Sequence, residues 1–165
     1  MNAESPPNIH PYERLTTPDG EQVEIDTEMI PLVQALWARD LVTVACCQDI
    51  GESAAGHRDP ERTTTSGHGG FVEYYRGYAW LKMPLDDGRR LLNALLGTAF
   101  HDRVAIRWRP GSWRMHVPLA YGKSDSIDLA EVAQLHFPRE QIAELTAILT
   151  DLSAGEMGVT DRWVV

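Results

Sequence analysis

Residues 26–49 constrain this chain more than any other stretch, because four kinds of local signal follow one another there without a gap. Met29, Ile30, Val33, Leu36 and Trp37 recur at the three-and-four spacing that gathers apolar side chains on one face of a helix. Asp26 can cap the first turn, Glu28 adds negative charge where the helix dipole favours it, and Pro31 is early enough to leave the helix intact. Burying Leu36 and Trp37 is worth roughly 1.5–3 kcal/mol each. Residues 41–46 then form a short apolar run rich in β-branched side chains, the signature of an interior strand. Cys46, Cys47, Gln48 and Asp49 close the unit as a polar elbow at a strand end, a common location for binding groups.

The flanking chain is read outward from that unit. Residues 1–15 have tandem prolines and no apolar periodicity, which predicts a flexible arm, with a single domain over residues 16–165. Pro18-Asp19-Gly20 signals a turn before a short strand at residues 22–25. Residues 50–70, with glycines, consecutive threonines and interleaved charges, predict a long loop. A strand is expected over residues 71–83. A helix from Pro84 carries Leu85, Leu91, Leu92, Leu95 and Leu96, with Gly88 weakening it by about 1 kcal/mol. Two alternating runs at residues 103–109 and 113–119, joined by Pro110-Gly111-Ser112, predict a hairpin. Residues 129–137 read as a strand, and Ile142, Leu145, Leu149 and Leu152 as the apolar face of a third long helix. Residues 157–165 are an edge strand or a free tail. The sum is an α+β fold, a mostly antiparallel sheet with about three helices on one face.

At 165 residues, 43% hydrophobic and 24% charged, the chain has the composition of a soluble globular protein with a sizeable core. No apolar run has the length of a membrane span, so no membrane partner is expected. Two adjacent cysteines form no ordinary disulfide framework, which favours the cytoplasm. A formal charge of −9 argues against indiscriminate nucleic-acid binding while leaving room for a local basic patch.

Two patches stand out. In the expected hairpin, Arg103, Arg107, Arg109, Arg114 and His116 share a face opposite Val104, Ile106, Trp108, Trp113, Met115 and Val117. Such a strip suits phosphate or carboxylate groups, unless acidic side chains such as Glu73, Glu140 or Glu144 neutralise it. Tyr74, Tyr75, Tyr78 and Trp80 could stack bases or serve as packing. Cys46 and Cys47 with His57 and His68 offer zinc-ligand types, but adjacent cysteines lack the two-to-four-residue separation of common structural sites. No metal and no cofactor are expected on that ground. The elbow reads instead as one cysteine packed as a small hydrophobe and one facing a pocket, with a reactive thiol as the alternative.

The segments Ile30-Pro-Leu-Val-Gln-Ala-Leu-Trp and Thr43-Val-Ala-Cys-Cys-Gln-Asp resemble uncharacterised small proteins of actinobacteria and their phages. The succession of helix, Thr-x-x-Cys elbow, strand at residues 78–83 and helix at residues 85–96 is also similar to the wybutosine-synthesis family, which modifies tRNA. That likeness covers about the middle half of the chain, and of the family's Ser-Cys-Ser-Gly elbow only the central cysteine carries over. It implies an α+β fold and a ligand pocket beside the elbow. Three functions are therefore expected, in this order. The first is a non-enzymatic binding protein that receives a nucleotide or nucleic acid through Cys46, Cys47, Gln48, Asp49, Arg107, Arg109, Arg114 and His116. The second is a phage-type module acting on a host protein, and the third an RNA- or nucleotide-modifying enzyme. A homodimer is compatible with each.

Overall fold

The computed structural model describes residues 9–56, 69–105, 109–121 and 127–152. Strands β1 (Tyr12–Thr16) and β2 (Gln22–Asp26) form an antiparallel hairpin whose register pairs Leu15 with Val23 and Glu13 with Ile25. Those apolar positions alternate onto one side and pack on the core. A short 3-10 turn at Thr27–Met29 leads into helix α1 (Ile30–Trp37), with Pro31 in its first turn. Asp26 makes no side-chain cap there; its carboxylate is committed to the elbow instead. The helix stops because Asp40 takes a φ of 55°. The Leu41 amide then reaches the Leu36 carbonyl at 3.1 Å and the Asp40 amide the Trp37 carbonyl at 3.0 Å. That is the Schellman pattern, with buried Leu41 as its apolar contact.

The central sheet has four strands in the order β3-β4-β8-β5, every neighbouring pair antiparallel. They are β3 (Ala45–Cys47), β4 (Tyr78–Pro84), β5 (Arg114–His116) and β8 (Val132–Pro138). Directly opposed residues share a face, so the register sorts side chains without ambiguity. Cys46, Leu81, Leu135 and Met115 make one row on the inner face. Helices α1, α4 (Leu85–Leu96) and α6 (Ile142–Asp151) cover that face, contributing Leu32, Val33, Leu36, Leu91, Leu95, Leu145 and Leu149 to one buried cluster. Gly88 has a packing reason, since a Cβ there would stand 3.1 Å from the Ala133 Cβ. The protein is thus an α+β fold with an antiparallel sheet and its three longest described helices on one side.

The remaining elements depart from expectation in informative ways. The strand expected at residues 41–46 begins only at Ala45, leaving Val42 and Val44 exposed. The loop expected over residues 50–70 contains helix α2 (Ile50–Gly56) and the start of helix α3 (Gly69–Tyr75), which also replaces the first half of the strand expected at residues 71–83. Val72 and Tyr75 lie one turn apart and are both buried, a spacing too short to register as helical periodicity among so many aromatics. The expected hairpin is absent among the described residues. Residues His101–Ala105 are helix α5, with Phe100 and Val104 four apart facing the core, and β5 pairs with β8. A second ribbon, β6 (Leu119–Tyr121) with β7 (Ile127–Leu129), stands apart from the main sheet. The boundary expected after residue 15 falls inside β1, and the tail at residues 157–165 lies outside the described residues.

Candidate anion-binding hollow on the outer sheet face

The outer face of the sheet carries the polar half of each alternation. One row runs Cys47, Trp80, His136, Arg114, and the next runs Ala45, Lys82, Gln134, His116. With strands about 4.8 Å apart, Cys47 and Arg114 sit about 14 Å from each other at opposite sheet edges. The elbow and the arginines therefore share a face but not a pocket.

At the β5 edge, Arg114 is held by aromatic rings. Its guanidinium carbon lies 3.9 Å from the Tyr74 ring centre, 4.2 Å from Tyr78 and 5.5 Å from Tyr75. Nη2 donates to the Tyr78 hydroxyl at 3.2 Å and Nη1 to the Tyr74 carbonyl at 3.4 Å. No carboxylate among the described residues lies within ion-pairing distance of it. The hollow it faces has a volume of about 460 Å³ and is also lined by Arg109, Ser112, Trp113 and His116. The guanidinium thus has aromatic and hydrogen-bonding partners, but its charge meets no carboxylate among the described residues.

The other expected basic residues divide. Arg109 lines the hollow, and among the described residues its ion pair is a loose one with Asp102 at 3.9 Å, both exposed. Arg103 leaves the set, because Glu144 takes its guanidinium at 2.6 and 3.3 Å. Arg107 lies outside the described residues. His116 joins the hollow, with Nε2 3.4 Å from the Tyr75 hydroxyl.

Behind this edge, His136 is buried beneath Tyr75, their ring centres 4.7 Å apart. Burial, then the nearby His116 and Arg114 charges, pulls His136 down to about 4. The fold therefore holds it neutral. Above its ordinary value of about 6.5 it is neutral in both folded and unfolded chains, and no difference arises. Between about 6.5 and 4 the unfolded chain takes up a proton that the fold refuses. Stability should then fall on acidification by up to about 3 kcal/mol. Thermal unfolding of wild type and His136→Gln across that interval checks this. The difference in melting temperature between the two should narrow or reverse as the pH drops.

The elbow is an interior joint. Cys46 faces the core and Cys47 the opposite side, as strand alternation requires. Gln48 and Asp49 are buried with their bonds made inside the chain. The Gln48 amide donates to Asp26 Oδ2 at 2.8 Å, and its side-chain oxygen accepts from the Glu28 amide at 3.3 Å. Asp49 accepts from the Glu52 amide at 2.9 Å and the Gly77 amide at 2.9 Å, capping α2 and pinning the turn before β4. Burial pushes both thiols up to about 12, Cys46 further opposed by the Asp26 charge. Of the eight residues expected to contact a ligand, Arg109, Arg114 and His116 come together, and the four elbow residues do not join them. Tyr74 and Tyr78 belong with the arginines. The aromatic run marked them in the sequence, but nothing there linked them to β5. His10 was passed over altogether, although it packs against Cys47 with Nδ1 3.7 Å from Sγ.

Comparison with family models, with curated proteins and with solved structures finds no match to this chain.

Proposed function

We propose that this protein is a small non-enzymatic binding protein for a nucleotide-like anion, taken up in the hollow at the β5 edge. The observation that carries the reading is Arg114, a cation seated between two tyrosine rings with no carboxylate partner among the described residues. The phosphate would meet the Arg114 and Arg109 guanidiniums, and the base would stack on Tyr74, a residue 56% exposed. A volume of about 460 Å³ lies in the range of pockets for one small ligand, the size class of a mononucleotide. The formal charge of −9 disfavours a long duplex, so a mononucleotide or a short single strand is the better ligand.

Titration with a nucleoside monophosphate and with a short single-stranded oligonucleotide tests the reading. Arg114→Met should weaken both by about 10-fold or more and flatten the salt dependence. Tyr74→Ala should weaken the base-bearing ligands while leaving inorganic phosphate unaffected. Arg103→Ala, whose partner is Glu144, should change nothing. Affinity unmoved by Arg114→Met would end the proposal.

A second reading, a module acting on a host protein, draws support from the β6–β7 ribbon. Leu119 pairs with Leu129 on one side of it, and these side chains are 70% and 62% exposed. Apolar pairs so exposed are what partner surfaces present. Co-purification of a partner that survives Arg114→Met but is lost in Leu119→Ser would favour it. An RNA- or nucleotide-modifying enzyme working through Cys46 or Cys47 has less support, because thiols held near 12 carry little thiolate at neutral pH.

A further inference from the structure

A cluster of polar side chains lies at the opposite sheet edge from the hollow. His10, from the segment preceding β1, is 8% exposed and sits between three groups that come from distant parts of the chain. Its Nδ1 lies 3.0 Å from Asp26 Oδ2 and 3.7 Å from Cys47 Sγ. Its Nε2 lies 3.3 Å from Glu52 Oε2, yet forms no hydrogen bond. A neutral imidazole has one N–H to offer, and here both nitrogens face carboxylates. Directing that N–H towards Glu52 leaves the Nδ1 lone pair pointing at the Asp26 oxygen and the Cys47 sulfur. Those three ligand atoms all lie within 4.8 Å of one another.

We propose that His10 Nδ1, the Asp26 carboxylate and Cys47 Sγ form a binding site for a borderline divalent transition metal, zinc or its spectroscopic substitute cobalt. Tetrahedral zinc with ordinary bond lengths puts nitrogen and oxygen ligands about 3.3 Å apart, and nitrogen and sulfur about 3.6 Å. The separations of 3.0 and 3.7 Å are each within about 0.3 Å of that geometry. A cation among the three atoms converts the lone-pair conflict at Nδ1 into a bond. The Nε2 proton then faces Glu52, the carboxylate–histidine–metal arrangement that orients metal-bound imidazoles. On uptake the thiol S–H bond breaks, its proton goes to solvent, and the sulfur electron pair forms the metal bond. Metal coordination offsets the burial that otherwise keeps Cys47 protonated. The surroundings favour a cation as well. Asp26, Glu28, Asp49 and Glu52 gather there against the guanidinium of Arg139, with Arg76 also within electrostatic reach of Asp49 and Glu52. Three protein ligands leave one coordination position for water or a bound molecule.

Full-length protein, stripped with a chelator and dialysed, is titrated with Zn²⁺ and separately with Co²⁺. The expected result is uptake of one ion per chain, a rise in melting temperature, and for cobalt a thiolate-to-metal charge-transfer band in the near ultraviolet. Cys47→Ser should abolish the band, His10→Ala should weaken uptake at least 10-fold, and Cys46→Ala should retain both, since Cys46 faces the core. Circular dichroism confirms that each variant is folded before it is scored. A wild-type chain that takes up neither ion at stoichiometric concentration overturns the proposal with no variant needed. Uptake that survives Cys47→Ser and His10→Ala, or is lost with Cys46→Ala instead, places the ion elsewhere and overturns it too.

Discussion

Asp49→Ala is expected to cost about 3–5 kcal/mol of stability, lowering the melting temperature by on the order of 10 °C. The carboxylate is 2% exposed and receives two backbone amides, those of Glu52 and Gly77. Hydrogen bonds to a charged acceptor contribute about 1.5–3 kcal/mol each, and truncation leaves both donors buried without an acceptor. The damage should spread along two directions. Helix α2 loses its cap, and the turn that delivers Tyr78 to β4 loses its anchor. Arg139, 3.9 Å from the same carboxylate, keeps Glu28 and Glu52 and so softens the loss only slightly. Asp49→Asn should fall between, because an amide oxygen can serve one donor while the NH₂ group meets the other. Denaturant unfolding of the three proteins measures this. A loss under about 1 kcal/mol for alanine would mean the elbow is open to solvent after all, and would reopen a ligand role for Asp49.

Gly51→Ala should be at least as severe, for a steric reason. A Cβ at residue 51 would stand 2.5 Å from the Arg76 Cα and nitrogen and 2.8 Å from the Tyr75 carbonyl carbon. These are backbone atoms, so no side-chain rotation relieves the contact. Helix α2 must move off the turn between α3 and β4, at a cost of about 3 kcal/mol or more. Tyr75 ends α3 at that turn and lies on His136, and Tyr74 beside it lines the hollow. The substitution should therefore weaken nucleotide binding from the far edge of the sheet as well as lower the melting temperature. Gly20 provides the contrast: it has a φ of 94° and open space around it, so alanine there meets only local backbone strain. Equal melting temperatures for Gly51→Ala and wild type would show that α2 does not pack as closely as its backbone implies.

Much of the architecture was legible in the residues. The apolar stripes of α1, α4 and α6 are long enough for a period near 3.6 to be unmistakable, and β4 alternates cleanly along its length, while β8 alternates over its first half and is buried throughout its second. Short elements were misread where two periods coincide. The run read as alternating at residues 103–109 overlaps the end of α5 (His101–Ala105), where Phe100 and Val104 also satisfy helical spacing, and only contact with the core selects the helix. The arginine strip was redrawn with that choice: Arg103 turned to Glu144 and Arg114 went to a strand paired with β8, where Arg109 and His116 still join it. The elbow was located correctly as a strand end, but whether a strand end opens onto solvent depends on what packs over it. Here α2 and His10 do so.

The sequence by itself thus determined the fold class and the helix-bearing face, because both follow from periodicity within a dozen residues. Only the tertiary structure decided which polar groups meet. Arg114 finds Tyr74 and Tyr78 from 40 and 36 residues away, and His10 reaches Cys47 across 37. Such encounters carry no local pattern. They are set by strand order and register, which bring distant residues into one row while a single shift of register would send every one of them to the opposite face.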